Sequence, residues 1–293
     1  MNAAPVRTLG WRLDYVWRAG ATGFCFAVFG LFSLVAGATL FPALCLTAPD
    51  PEAARRRAQG LTQRWFGAFS RLMAALGTIR YEIHGVERLR APGQMIVANH
   101  PSLIDVVLLL GHLPEVDCIL KPAIFENPFM KWPATWLGYI AQRSPEQLLA
   151  DSQAALRQGH SLMIFPEGTR TVPGQPIRMA HGAARVAVEA KATILPVGIR
   201  VTPPHLFKHE PWWRPPVRRP NYVLTVGNPY SAERFLEAAG GVPSVAARRL
   251  SRHWEQHFAE YTGGTAAHPN SPLADPAGPT HYSRADRAIP RKS

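Results

Sequence analysis

A histidine and an aspartate that could act together in proton transfer lie close in the chain, at His100 and Asp105. A buried strand predicted at residues 94–98 ends just before His100, and a helix predicted at residues 102–110 begins just after it. His100 is therefore expected at the carboxyl edge of a sheet, with Asp105 in the first helical turn, able to fold back toward the imidazole. A carboxylate on one ring nitrogen fixes the tautomer, so that the other nitrogen can take a proton from a hydroxyl. Ser102-x-x-Asp105 is also a capping-box pattern, and in that interpretation Asp105 only caps the helix.

A second segment with chemical potential is PheProGluGlyThrArg at residues 165–170. It follows a predicted strand at residues 161–165, so it should reach the same edge of the sheet as His100. Gly168 lets the backbone approach a ligand closely, and the planar guanidinium of Arg170 suits a phosphate. Glu167 could accept hydrogen bonds from hydroxyl groups or orient the arginine. The alternative is a strand-to-loop turn with a surface ion pair.

Two further basic residues could contact an anionic substrate, although a purely structural role is an alternative for both. Lys121 directly follows a predicted strand at residues 116–120, and Arg143 follows an apolar pair and a glutamine. Cys25, Cys45 and Cys118 show neither the spacing of a metal site nor a paired framework, so we expect three reduced thiols and no metal.

The elements that must position these residues follow from the alternation of short apolar runs and helical patterns after residue 79. Further strands are predicted at residues 81–83, 193–199 and 222–226, and further helices at residues 145–158 and 179–190. Strands that alternate with helices predict an α/β fold with a mixed, largely parallel sheet flanked by helices.

The N-terminal part of the chain differs from this α/β pattern because residues 19–48 include no charged residue. A helix of that length would measure about 45 Å, longer than the ~30 Å hydrocarbon core of a bilayer. The run predicts a membrane-spanning anchor or a helix set into one leaflet, and a buried core helix is the alternative. Asp50 and Pro51 begin another predicted helix, residues 50–76, which is amphipathic and lies on the membrane or packs on the α/β domain. More arginines follow the run than precede it, which predicts a cytoplasmic α/β domain if the run spans.

The formal net charge of +12 and the sequence pI of about 10.3 indicate an anionic partner: nucleic acid, a membrane surface or a phosphorylated substrate. Nucleic acid is disfavoured because the basic residues cluster near the apolar run and in a proline-rich loop with Trp212 and Trp213, not on a reading helix. We therefore predict a membrane anchor in residues 1–78, a catalytic α/β domain in residues 79–261 and a disordered tail in residues 262–293.

The AsnHisProSerLeuIleAsp and PheProGluGlyThrArg segments, in this order, resemble the glycerophospholipid acyltransferase family, which contains bacterial 1-acylglycerol-3-phosphate acyltransferase. The resemblance covers about residues 79–229. It implies that His100 is the general base and that Asp105 orients it. The residues expected to bind substrate are Lys121, Arg143, Glu167, Gly168, Thr169 and Arg170. Among these, Arg143 matches the basic residue that ends the family's middle block.

The resemblance also implies a reaction: transfer of a fatty acyl group from acyl-CoA or acyl carrier protein to a lysophospholipid hydroxyl. The expected acceptor is 1-acyl-sn-glycerol-3-phosphate, which gives phosphatidic acid, with no cofactor beyond the donor. LeuIleAspValVal, ThrArgThrValProGlyGln and the ProTrpTrp loop resemble a subgroup associated with aryl polyene or polyketide-like lipid pathways. In that subgroup the donor can be an acyl carrier protein and the acceptor can be a lipid other than lysophosphatidate. The alternatives are another lyso-lipid or glycolipid acceptor, or a non-catalytic lipid-binding module. The expected location is a bacterial-type inner membrane, with membrane lipids as partners and the catalytic domain facing the cytoplasm.

Overall fold

The computed structural model describes residues 9–126, 131–172 and 174–262, with the Trp132 side chain excepted. The helices are α1 (Leu9–Val35), α2 (Phe41–Leu46), α3 (Pro51–Ala75), α4 (Asp105–Leu110), α5 (Pro122–Glu126), α6 (Lys131–Trp136), α7 (Pro145–Arg157), α8 (His181–Glu189), α9 (Glu233–Ala238) and α10 (Pro243–Thr262). A π-helical turn, Ala36–Leu40, joins α1 to α2, and a 3-10 turn, Val86–Arg90, follows the first strand. Apart from Thr262, which ends α10, the predicted disordered tail lies outside the described residues.

The strands form one mixed sheet in the order β1-β7-β6-β2-β5-β3-β4, with β8 paired to β6. They are β1 (Arg80–His84), β2 (Gln94–Ala98), β3 (Asp117–Leu120), β4 (Ile140–Ala141), β5 (Leu162–Ile164), β6 (Thr193–Thr202), β7 (Asn221–Val226) and β8 (Tyr230–Ser231). The pairs β6–β7 and β6–β8 are antiparallel, and the other pairs are parallel. The predicted largely parallel α/β sheet is therefore confirmed.

Helices cover both faces of the sheet, and the side chains of β2 divide between them. Met95 and Val97 pack in a core with α7, α8, α9 and α10, whereas Ile96 and Ala98 pack in a second core with α1, α3 and α4. This division follows the two-residue period of a strand. Every residue of β2 is buried, as expected of a central strand in a sheet covered on both faces.

The apolar run of the sequence forms an almost continuous helix from Leu9 to Leu46. By length and composition this helix could cross a membrane, and 17% of its most apolar window is buried inside the protein. Cys25 is fully buried in the core beside α3 and α4. One side of α1 therefore belongs to the packed structure, while other side chains of α1 face outward.

The helix predicted at residues 50–76 is α3, and its N-terminus has the predicted cap. The Asp50 carboxylate accepts a hydrogen bond from the Ala53 N–H at 2.7 Å, and Pro51 occupies the first helical position. The α3 helix packs against α4 and α1, and its Gln59 side chain is buried against the α/β domain. Gln59 donates to Asp117 at 2.9 Å and accepts from the Val116 N–H at 2.9 Å. Packing on the α/β domain is therefore the observed arrangement.

Two local differences from the sequence-based expectation bear on the site. The helix predicted at residues 102–110 begins only at Asp105, because residues 101–104 form a turn. The C-terminal helices α9 and α10 were not predicted, and α10 covers the sheet face opposite α1 and α3.

Candidate acyl-transfer site

His100 follows Asn99 just beyond the end of β2, where the chain leaves the sheet. Its Nδ1 is 3.1 Å from Asp105 Oδ2, and its ring stacks on Phe165 with 4.3 Å between the ring centroids. The His100 side chain is 17% exposed, whereas that of Asp105 is fully buried. An ionised carboxylate has no proton to donate, so this contact places the ring proton on Nδ1 and leaves Nε2 as the proton acceptor.

Asp105 contacts the imidazole, whereas the predicted cap is not observed, because none of the described side chains caps the N-terminus of α4. Its Oδ2 contacts His100 and also accepts a hydrogen bond from the Ser102 N–H at 2.6 Å, so it closes the turn before α4. Burial raises the pKa of the Asp105 carboxyl, while the hydrogen bonds and positive charge around it oppose that shift. The same carboxylate thus holds both the imidazole and the turn before α4.

The backbone of His100 is fixed on both sides by the PheProGluGlyThrArg segment. Its N–H donates to Glu167 Oε1 at 2.8 Å, and its carbonyl accepts from the Thr171 N–H at 2.7 Å. The Thr171 hydroxyl donates to the same Glu167 oxygen at 2.8 Å. Burial raises the pKa of Glu167, and these two hydrogen bonds act in the opposite direction. Glu167, predicted to bind substrate, thus contacts the peptide of the candidate base.

Gly168, Thr169 and Arg170 line the same cavity as His100. Gly168 has φ of +63°, a left-handed conformation that favours glycine at this turn. Arg170 Nη1 donates to two backbone carbonyls, Leu206 O at 3.0 Å and Phe207 O at 3.3 Å. The guanidinium is therefore oriented by the irregular segment that follows β6.

The cavity beside His100 has a volume of about 960 Å³ and a mostly apolar lining that includes several aromatic side chains. Its wall combines side chains of α1 and α3 with side chains of the α/β domain, among them Phe29, Trp65, Phe69, Ile104, Leu137 and Tyr139. Such a cavity can enclose a long apolar chain with one end at His100. The imidazole and the chain-sized cavity together are suited to acyl transfer.

Comparison with known proteins agrees with this geometry. Residues 80–200 match the sequence profile of the Acyltransferase family. The chain is 30% identical, over 49% of its own length and 58% of the relative's, to 1-acyl-sn-glycerol-3-phosphate acyltransferase of Pseudomonas aeruginosa. Over residues 80–200 the chain is therefore similar to acyltransferases of this family.

Two further comparisons extend this result. Lyso-ornithine lipid O-acyltransferase of Pseudomonas aeruginosa is 34% identical over 58% of this chain and 64% of that protein. The chain thus spans less than two thirds of either curated relative. The crystal structure of the 1-acyl-sn-glycerophosphate acyltransferase PlsC from Thermotoga maritima has a TM-score of 0.60 and 20% sequence identity, and the match covers 84% of this chain and 96% of that one. At this identity the likeness is one of fold.

The structure places the two other predicted substrate-binding residues differently. Lys121 is exposed and lines the cavity, as does Gln142. Arg143 is exposed but is not among the lining residues, because the backbone turns after β4, with the Arg143 N–H bonded to Ala141 O at 2.9 Å. The structure therefore brings Lys121 to the cavity and leaves Arg143 outside it.

Asn99, which precedes His100 in the AsnHisProSerLeuIleAsp segment, was given no role from the sequence. Its side-chain amide is fully buried, donates to Ile199 O at 2.8 Å and accepts from Ile199 N at 2.7 Å. The amide continues the β2–β6 pairing where the two strands diverge and so fixes the start of the His100 loop. A polar residue at the end of a buried apolar run was the signal that could have revealed it.

A buried chain of side-chain hydrogen bonds behind the site was also not predicted from the sequence. Ser102 Oγ lies 2.9 Å from Tyr222 OH, which in turn lies 3.0 Å from His205 Nδ1. Burial lowers the pKa of His205 from its ordinary 6.5 to about 4, with a smaller contribution from the charge of Arg18. The neutral imidazole of His205 thus belongs to the packed interior and not to the cavity.

The three cysteines are free thiols, as predicted. Cys25 and Cys118 line the cavity. Burial raises the pKa of the Cys118 thiol to about 12, so it stays protonated at neutral pH and is a poor nucleophile. Across residues 9–126, 131–172 and 174–262, no cluster of three or more His, Cys, Asp or Glu side chains is arranged to hold a metal ion.

Proposed function

We propose that this protein is an O-acyltransferase that moves a fatty acyl group from a thioester donor, acyl-CoA or acyl carrier protein, to the hydroxyl of a lyso-lipid. The observation that carries the proposal is the His100–Asp105 pair at the wall of an apolar cavity of about 960 Å³. A water molecule takes up ~30 Å³ in the liquid and a methylene group is of similar size, so the cavity is ample for one fatty acyl chain. A non-catalytic lipid-binding module would need the cavity but not an oriented histidine.

In this mechanism the neutral His100 takes the proton of the acceptor hydroxyl on Nε2 as the oxygen attacks the thioester carbonyl. Asp105 stabilises the imidazolium that forms, as the carboxylate does in a serine hydrolase triad. The tetrahedral intermediate then expels the thiolate, which recovers the proton from His100. The ester and the free thiol are the products, so atoms and charge balance without an added cofactor.

For the acceptor we propose 1-acyl-sn-glycerol-3-phosphate, which would give phosphatidic acid. Arg170 at the cavity wall supports a phosphate-bearing acceptor. A second acceptor class, an amino-acid lyso-lipid, is favoured by the similarity to lyso-ornithine lipid O-acyltransferase. For the location we propose the inner membrane of a bacterial-type cell, anchored by residues 9–46, with the α/β domain in the cytoplasm.

The test is an acyl-transfer assay of the purified full chain with a panel of lyso-lipids and with both donor types. His100→Ala should reduce turnover by about 10²- to 10⁴-fold, the usual contribution of a general base. His84→Ala, a histidine that is 41% exposed on β1, is the matched control and should leave turnover unchanged. Near-wild-type turnover of the folded His100→Ala protein would exclude the mechanism.

A further inference from the structure

The irregular segment between β6 and β7, residues 203–220, which we call the 203–220 loop, exposes large apolar side chains beside basic ones. Trp212 is 42% exposed, Trp213 59% and Val217 46%, and Arg214 and Arg218 next to them are also exposed. Exposed tryptophans grouped in this way are unusual on a surface that contacts only water.

The 203–220 loop is fastened to α1 by a buried cation. Arg18 of α1 is 1% exposed and donates to Pro216 O at 2.7 Å and Val217 O at 3.1 Å. The ring of Trp212 packs on Phe26 of α1, with 5.2 Å between the centroids. The exposed part of the loop therefore lies directly beside the helix that could cross a membrane by length and composition.

That helix presents its own apolar surface to the outside. Its exposed side chains include Leu13, Val16, Trp17, Phe24, Leu31 and Leu34. Asp14 on the same helix is paired with Arg18 at 2.9 Å, which neutralises the acidic charge near the loop. The exposed apolar side chains of α1 and of the 203–220 loop thus belong to adjoining parts of the protein surface.

At its other end the 203–220 loop is joined to the active-site segments. The carbonyl of Leu206, which is 2% exposed, accepts from the Leu103 N–H at 3.0 Å and from Arg170 Nη1 at 3.0 Å. The loop therefore runs from the wall of the cavity to the exposed tryptophans.

We propose that residues 208–218 of the loop are a second membrane contact that binds an anionic bilayer beside α1. Tryptophan favours the headgroup level of a bilayer, and arginine at that level is attracted to anionic lipid. The bilayer is the occupant that fits because the same plane can take the apolar face of α1 and the tryptophans of the loop. Bound in this way, the loop holds the cavity wall at Arg170 close to the membrane surface.

The proposal is tested with the full chain reconstituted in vesicles of phosphatidylcholine alone or mixed with phosphatidylglycerol. A fluorophore is attached at Trp213→Cys in a Cys45→Ser background, and the same background with Trp213 intact measures any labelling of Cys25 and Cys118, which line the cavity. Lipids that carry a nitroxide should quench the fluorophore at position 213, more strongly with phosphatidylglycerol and less strongly at high salt. The matched position is Val242→Cys, which is 46% exposed before α10 across the sheet and should show little quenching.

A charge-matched pair of double variants completes the experiment. Each arginine near an anionic surface strengthens binding about fivefold, so Arg214→Ser with Arg218→Ser should weaken the phosphatidylglycerol-dependent binding of the loop by about thirtyfold. Arg248→Ser with Arg252→Ser, on the exposed side of α10, should leave it unchanged. Any of three results would overturn the proposal: equal quenching at positions 213 and 242, quenching that does not depend on phosphatidylglycerol, or equal effects of the two double variants. None of these readouts requires acyl transfer, so they are independent of the proposed activity.

Discussion

Substitution of Glu167 distinguishes two roles for its carboxylate, substrate binding and positioning of His100. Its Oε1 accepts from the His100 N–H and from the Thr171 hydroxyl, each at 2.8 Å. Glu167→Gln keeps an oxygen acceptor at this place and removes the charge. Glu167→Ala removes the acceptor and leaves the partly buried N–H of His100 without a hydrogen-bond partner. The two variants should therefore differ strongly if the carboxylate holds His100 in place.

The size of the effect follows from these contacts. A hydrogen bond to a charged group contributes about 1.5–3 kcal/mol and one between neutral groups about 0.5–1.5 kcal/mol, so Glu167→Gln should lower kcat by less than about tenfold. Glu167→Ala frees one side of the His100 peptide, and a displacement of about 1 Å in a catalytic group can cost about 10²-fold in rate. In both variants the KM for the acceptor should stay near the wild-type value.

Initial rates of acyl transfer measured against acceptor and donor concentration give kcat and both KM values. Thr171→Val is the control, because it removes the hydroxyl that donates to Glu167 but keeps the backbone N–H that holds the His100 carbonyl. It should change kcat by no more than a few-fold. If Glu167→Gln raises the acceptor KM as much as Glu167→Ala does, with kcat preserved, the carboxylate charge binds substrate and the positioning role is refuted.

Three further outcomes are expected. Arg170→Ala should raise the KM for a phosphate-bearing acceptor far more than that for the donor, and an effect on the donor alone would place the phosphate elsewhere. Because the folded-state pKa of His205 is about 4 against an ordinary 6.5, the unfolded chain takes up a proton in this window and the folded protein does not. The free energy of unfolding should therefore fall by up to about 3 kcal/mol as pH falls from 6.5 toward 4. Denaturant titrations in detergent should show a smaller fall for His205→Asn, and an equal fall in the variant and the wild type would contradict this. Ala134 is 2% exposed and lines the cavity, so Ala134→Phe should shift turnover toward shorter acyl donors. An unchanged chain-length profile would show that the acyl chain does not reach Ala134.

Much of the fold and the central pair of the site could be predicted because they depend on local patterns. His100 and Asp105 are close in the chain across a strand-to-helix junction, so the short turn that joins β2 to α4 is enough to bring them together. The cap at Asp50 and the buried central strand β2 follow from equally local signals. The order of the two motifs along the chain also indicated the acyltransferase family whose profile residues 80–200 match.

Other features depend on contacts between residues far apart in sequence, which local patterns do not specify. Glu167 faces the His100 peptide because β2 and β5 are neighbours that end at the same edge of the sheet, and Asn99 reaches Ile199 because β6 continues beside β2 past its end. Arg143 remains outside the cavity because of a backbone turn that its sequence neighbours do not reveal.

The cavity is the clearest case of a feature decided by tertiary structure alone. The sequence predicted that the apolar helix of residues 19–48 lies in the membrane, with a buried core helix as the alternative. It predicted that the helix of residues 50–76 lies on the membrane or on the domain surface. In the folded protein, α1 and α3 each contribute one wall of the space beside His100, with Phe29 and Trp65 among their lining side chains. An apolar side chain gains free energy from burial in protein as it does from burial in lipid, so composition alone does not distinguish the two. Only the packing of α1 and α3 against the sheet shows which of these side chains enclose the cavity.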